Sequence, residues 1–113
     1  METRASTRHV RMAPQKARLV VDLIRGKAVE DAIGVLEFNP RRASKVIAKT
    51  LKSAIANAEA VHNVDVDTLY VKAAWVDAAQ TQKRFLPRAH GRATKLRKRT
   101  AHLTVVVDER NRG

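Results

Sequence analysis

Residues 83–100 read KRFLPRAHGRATKLRKRT: eight lysines or arginines, one histidine and no acid. A block of like charge this long repels itself and stays unfolded unless a partner neutralises it. Its flanks, however, are regular. Upstream, TLYVKAAWV from Thr68 alternates, with Leu69, Val71, Ala73 and Trp75 on one side and Tyr70, Lys72 and Ala74 on the other. Downstream, HLTVVV from His102 alternates again, directing Leu103, Val105 and Val107 to the core beside Trp75. These two runs are predicted to pair as antiparallel strands, which requires everything between them to be one hairpin. The hairpin's midpoint falls near Arg88, Ala89, His90, Gly91 and Arg92, where Gly91 tolerates the positive φ of a tight reversal. Pro87 has no N–H to give to a ladder, so the arm is a two-stranded ribbon and not the interior of a sheet. Ten or so residues a side, at ~3.3 Å each, make a projection of roughly 30 to 35 Å.

Outside this block the chain reads as helical. Pro14 suits a first helical position, Ala17, Val20, Val21 and Ile24 follow helical spacing, and Gly26 suits the position just past the end. In AVEDAIGVLEF, Val29, Ala32, Ile33 and Leu36 share a face, and Glu30 and Asp31 fall early, where the helix dipole favours acids. Asn39 followed by Pro40 reads as a cap and a first-turn proline. From there Ala43, Val46, Ile47, Thr50, Leu51, Ala54, Ile55 and Ala58 trace a long amphipathic helix to about Val61. The expected fold is α+β: three helices packed on a small antiparallel sheet, with one long protruding β-hairpin. The 113 residues suit one domain, 1–113, whose arm spans approximately 78–103 and whose apolar faces are all used internally.

The net charge of +12 and isoelectric point near 11.1 make a polyanion the leading partner. The charge is uneven. Residues 28–77 hold six basic and seven acidic side chains, whereas residues 78–107 hold eight basic and none acidic, so a near-neutral body carries basic extensions. The absence of cysteine excludes disulfides, thiol chemistry and Cys-type zinc sites, and fits a reducing compartment. The apolar run LVVDLI is too short, and too broken by Asp22, for a membrane span or signal segment. A cytoplasmic chain with no membrane contact is expected.

Catalysis has no foothold. His9, His62, His90 and His102 show no metal-ligand spacing, and no serine or acid pairs with any of them in a recognisable pattern. No enzyme activity, metal or cofactor is expected. The candidate nucleic-acid contacts are Arg8, Arg11, Lys16, Arg18 and Arg25 near the N-terminus, and Lys83, Arg84, Arg88, His90, Arg92, Lys95, Arg97, Lys98, Arg99 and His102 in or beside the arm. Lysine and arginine release counterions on binding phosphate, and arginine grips phosphate with a planar fork. Phe85 either stacks on an unpaired base or packs within the hairpin. The stripe Arg41, Arg42, Lys45, Lys49 and Lys52 is either the solvated face of the long helix or a secondary contact. The N-terminal group, Arg4 included, is either part of a wrapping surface or a basic tail.

The assembled residues resemble the bacterial large-ribosomal-subunit protein family numbered twenty-two. The resemblance rests on Lys83, then four residues, Arg88, Ala89, His90, Gly91 and Arg92, then nine residues, His102 and Leu103, with Val105 and Val107 alternating after. It continues in PQKARLVVDLIRGK from Pro14 and KSAIANAEAVHN from Lys52, nearly the whole chain. It implies a body on the outside of the large subunit and a hairpin running inward to line the nascent-peptide exit tunnel. The implied partners are several domains of large-subunit (23S) ribosomal RNA, neighbouring ribosomal proteins and the nascent polypeptide, with a role in early subunit assembly and no homo-oligomer. It also implies a tunnel-lining tip at Arg88–Arg92, near a loop of another ribosomal protein and the macrolide site. Two departures stand out. Ala13 replaces a frequent serine, which leaves the first helix without a side-chain cap, and Ala79-Gln80 replaces a frequent Gly-Pro at the arm's root.

The alternative is a DNA-architectural protein whose basic ribbon wedges Pro87 between base steps. Such arms work in dimers. Either way the arm's affinity is ionic. Replacing Lys95, Arg97, Lys98 and Arg99 by glutamine is expected to flatten the log–log salt dependence of RNA binding by about two to four units, since each neutralised phosphate contributes roughly 0.7 to 0.9. An unchanged slope would show that the arm's C-terminal limb makes no phosphate contact.

Overall fold

The computed structural model describes residues 2–78, 82–86, 94–98 and 100–110, and for 82–86 and 94–98 the backbone alone. In chain order the elements are β1 (Glu2–Arg11), α1 (Pro14–Val21), α2 (Val29–Phe38), α3 (Arg42–His62), a 3-10 turn (Val66–Thr68), β2 (Leu69–Ala78), β3 (Gln82–Leu86), β4 (Thr94–Lys98) and β5 (Thr100–Glu109). The fold is α+β. Three helices cover one face of an antiparallel sheet ordered β1-β5-β2, and β3 and β4 form a separate two-stranded ribbon. The radius of gyration is 17.4 Å, against about 13 Å for a compact chain of this length, and the extents are 68 × 28 × 18 Å. The ribbon accounts for that elongation.

The arm pairs Gln82 with Lys98 through to Leu86 with Thr94, so the connecting segment is 87–93, which contains the expected turn at Arg88–Arg92 but lies outside the described residues. At the root, Ala78 faces Ala101 and Gln82 faces Lys98. Three residues of the sequence, 79–81, thus separate these pairs on the first limb, and two, 99 and 100, on the second. Ala79 and Gln80 lie outside the described residues.

The sheet differs from the strict alternation in one respect. Between Val71 and Ala73 the register of β2 against β5 shifts by one at Lys72, a β-bulge. A period of two has no tolerance for an inserted residue, so every side chain after it changes face. The buried set is Leu69, Val71, Ala74 and Val76, and Trp75 lies half-buried on the opposite face instead of beside Leu103, Val105 and Val107. There the indole N–H donates to Asp77 Oδ2 at 3.2 Å, and the Arg4 guanidinium sits 5.4 Å from the ring centroid. Both are typical of a tryptophan with one wet side.

The N-terminal segment is a strand, not a tail. Glu2–Arg11 pairs along β5, and its inward residues Thr3, Ala5 and Thr7 are small because α3 packs directly over them. Thr7 Oγ1 lies 2.6 Å from Thr50 Oγ1, whose hydroxyl also donates to the Val46 carbonyl at 3.0 Å.

Helix boundaries moved slightly. Helix α1 ends at Val21, and a turn through Gly26, at φ +78°, completes the reversal while keeping Ile24 buried. Ala13 is the N-cap with no side-chain hydrogen bond. Helix α3 starts at Arg42, because Asn39 Oδ1 accepts from the Arg41 N–H in a turn that precedes the helix. The core contains the expected faces: Ala17, Val20 and Val21 from α1, Val29, Ala32 and Leu36 from α2, and Ala43, Ile47, Leu51, Ala54, Ile55 and Ala58 from α3. The apolar faces are not all used internally, however. Phe38 is 89% exposed and Val61 72%.

Gly34 occupies the interior of α2, where a Cβ would meet nothing within 4 Å. Glycine there forgoes about 1 kcal/mol of helix propensity with no packing reason inside the chain. Gly34→Ala is therefore expected to raise unfolding stability by about 1 kcal/mol, read from the urea midpoint at unchanged m. A loss of stability would show that the site is sterically closed.

Candidate nucleic-acid interface

Pairing of β1 with β5 decides where the N-terminal charges go. Arg11 stands opposite Thr100, two residues from the end of β4, so the first strand delivers Arg8, His9 and Arg11 to the root of the arm. From there a groove of about 680 Å3 runs between the end of β1, the start of α1 and the start of α3. Arg11, Lys16, Arg41 and Arg42 rim it, and Met12 and Leu19 form its apolar floor. No acid lines it. The N-termini of α1 and α3 both open here, and neither N-cap, Ala13 or Arg41, makes a side-chain cap. Uncapped helix N-termini leave backbone N–H groups and a partial positive charge directed outward, which suits phosphate. The groove thus combines four exposed cations, two helix dipoles and a surface on which a base can rest.

The expected contacts divide by what the structure does with them. Arg8, Arg11 and Lys16 are exposed, and the first two share the arm-root end of the sheet. Arg18 and Arg25 are partly committed elsewhere. Arg18 donates through Nε and Nη2 to the Val76 carbonyl at 3.3 and 3.1 Å, and Arg25 Nε donates to the Ala74 carbonyl at 2.8 Å while Nη1 pairs with Asp22. Both close the outer edge of β2, which would otherwise offer free carbonyls to a foreign strand. Gly26 and Lys27 bond Val71 on the same edge, at 2.9 Å each way.

His102 is also partly used. Opposite it, β1 carries two residues, Arg8 and His9, in a bulge where His9 takes φ +56°. The His9 N–H donates to His102 Nδ1 at 3.1 Å, and the two rings meet edge-on with centroids 4.7 Å apart. This leaves Nε2 of His102 for an outside partner. The side chains of Lys83, Arg84, Phe85, Lys95, Arg97 and Lys98, and all of Pro87, Arg88, Ala89, His90, Gly91, Arg92 and Arg99, lie outside the described residues. Arg41 and Arg42 belong to the groove, whereas Lys45, Lys49 and Lys52 line the exposed face of α3. The uncapped Ala13 was readable in the sequence, whereas the cap of α3 was expected at Asn39 and lies at Arg41. The convergence of the two N-termini was not readable, because it depends on β1 and α3 packing together.

The far end of the sheet is acidic. Lys72 pairs with Glu2 and lies 3.5 Å from Asp108, linking all three strands. The hydrogen bond that Lys72 donates to Glu2 holds the ammonium above the ordinary lysine range, against a smaller opposing effect of burial. That lysine is charged at neutral pH, and its contribution is lost only as pH rises past the raised value. Among the described residues, no group of three or more His, Cys, Asp or Glu is placed to hold a metal ion, and no helix is long and apolar enough to cross a membrane.

Residues 5–108 match the family model for ribosomal protein L22p/L17e. The chain belongs to this family. It is 56% identical over 110 residues to the large ribosomal subunit protein uL22 of Thermoanaerobacter sp. (strain X514), covering 97% of this chain and 99% of the relative. It is 50% identical over 113 residues, the whole of both chains, to the protein of the same name from Pelotomaculum thermopropionicum. It is accordingly a structural, non-enzymatic constituent of the large subunit of the cytoplasmic ribosome.

The division among the arginines is measurable. Arg18→Ala and Arg25→Ala are each expected to lower unfolding stability by about 0.5 to 1.5 kcal/mol, the net worth of the lost hydrogen bonds. Arg8→Ala and Lys16→Ala should fall within about 0.5 kcal/mol of the parent. Equal urea midpoints in all four variants would show that the β2 edge does not need its arginines.

Proposed function

We propose that the chain anchors large-subunit ribosomal RNA along a continuous basic track, from the groove at Arg11, Lys16, Arg41 and Arg42, past Arg8 and His102 at the arm's root, and out along the limbs through Lys83, Arg84, Lys95, Arg97, Lys98 and Arg99. The observation that carries the reading is the pairing of Arg11 with Thr100, which brings the N-terminal charges to the root of the arm. Phosphate neutralises that surface, and the apolar groove floor accepts a base. By gathering RNA segments on the body and along the arm, the protein supports early subunit assembly. Body and arm act as one domain, and no homo-oligomer is needed. Membership in a ribosomal family favours RNA over DNA as the polyanion.

The tip has a different task. RNA encloses the limbs, while Arg88, Ala89, His90, Gly91 and Arg92 at the turn face the exit tunnel and meet the nascent polypeptide. Replacing Arg88, His90 and Arg92 by alanine is then expected to leave large-subunit assembly near normal and to change nascent-chain stalling or macrolide sensitivity. Replacing Arg11, Lys16, Arg41 and Arg42 by alanine should instead weaken RNA binding and flatten its salt slope by about three units. Gly91→Val should be harsher than the triple alanine variant, because a β-branched residue resists positive φ. Subunit profiles, salt titrations and stalling assays on the same variants decide the matter. Loss of assembled subunits in the tip variant, or an unchanged salt slope in the groove variant, would overturn the division of labour.

A further inference from the structure

The body carries a second surface of opposite character. On the outward face of α2, Glu30, Asp31, Gly34, Val35, Phe38 and Pro40 line a shallow open groove. No cation is among its lining residues, although the chain as a whole carries +12. Phe38 is 89% exposed, the most exposed large apolar side chain among the described residues. The last turn of α2 holds no basic residue, so the negative end of its dipole is uncompensated beside Phe38. Asp67, by hydrogen bond and charge, pushes the Glu30 carboxyl above its ordinary range, with Asp31 and Asp65 adding to the effect. Raised in the folded state, that carboxylate weakens folding at neutral pH, a penalty that a nearby cation would remove.

Like charge at Glu30 and Asp31 disfavours a phosphate backbone there. A cation with an apolar neighbour is what the surface complements, and Gly34 says more about its form. A Cβ at Gly34 would meet nothing within 4 Å, so no contact among the described residues calls for the missing side chain. What glycine leaves there is room for a foreign backbone to lie against the helix.

We propose that this face of α2 docks an extended, basic segment of a neighbouring protein in the large subunit, with a lysine or arginine set between Glu30 and Asp31 and an apolar side chain laid on Phe38. The inference rests on membership in the subunit and is independent of the RNA track, which uses other residues. Lysine and arginine stems suit the site because they bury apolar length while keeping the charge at the acids.

The test places the photo-crosslinking residue benzoylphenylalanine at Phe38 and, separately, at Val35 of the full chain, in purified large subunits. Irradiation is expected to give a protein crosslink that mass spectrometry maps to a stretch with several Lys or Arg and no Asp or Glu. A crosslink that ribonuclease removes, one that maps to an acidic or neutral stretch, or none at either position would overturn the proposal. Adding Glu30→Lys and Asp31→Lys should reduce the protein crosslink at least fivefold, while RNA affinity of the free chain stays equal or rises. A crosslink that survives the charge reversal would also overturn it. Because RNA affinity is measured on the same variants, failure of docking is distinguishable from failure of the RNA reading.

Discussion

The pairing of β5 on both sides at once is the constraint on which the rest of the molecule depends. Leu103 to Val107 are buried, and each of these residues is matched to β1 on one edge and to β2 on the other. A strand with both ladders filled cannot slip, since a shift of one residue would turn Leu103, Val105 and Val107 out of the core. The arm leaves the sheet between β2 and β5, so its root is fixed by the same ladder, which still pairs Ala78 with Ala101 at the last described position of β2. A two-stranded ribbon alone is marginal in water. Here it grows from a sheet whose register is already set.

That ladder also sorts charge along the molecule. Because β1 runs antiparallel to β5, its first residue, Glu2, lies beside Asp108 and Lys72 at one end, and its last, Arg11, lies beside Thr100 at the other. The far end of the sheet thus holds Glu2 and Asp108, and the arm end holds Arg8 and Arg11. Such an arrangement presents a polyanion with one end of the protein, and at the ionic strength of a cell the screening length of ~8 Å keeps the two ends electrically separate. The acidic face of α2 remains available to a different class of partner. One small body thus carries two surfaces of opposite sign, which adjoin at Pro40 and Arg41.

The free edge of the sheet at β2 is managed in part by arginines that looked like RNA ligands. Arg18, Arg25 and the Gly26 N–H occupy the outward carbonyls of Val76, Ala74 and Val71, which leaves little for edge-to-edge association. An arginine on a basic chain need not be a contact for the partner. Neighbouring carbonyls claim it whenever the turn before it places the guanidinium within reach.

The sequence by itself determined the three helices, the two long strands around the basic block, the ribbon between them and the polyanionic partner. Each rests on a local period, a proline or glycine, or a count of charges, and none needs a distant residue to be read. Tertiary structure alone decided three things. The strand β1 was hidden because its inward residues, Thr3, Ala5 and Thr7, are small enough for α3 to approach, so the usual signal of bulky alternation is missing. The side on which Trp75 lies was set by a single unpaired residue at Lys72, since a bulge forms against a partner strand and leaves no mark in the alternation itself. The joining of Arg11 and Lys16 with Arg41 and Arg42 into one groove required β1, α1 and α3 to meet, a contact between segments about thirty positions apart that no local pattern encodes.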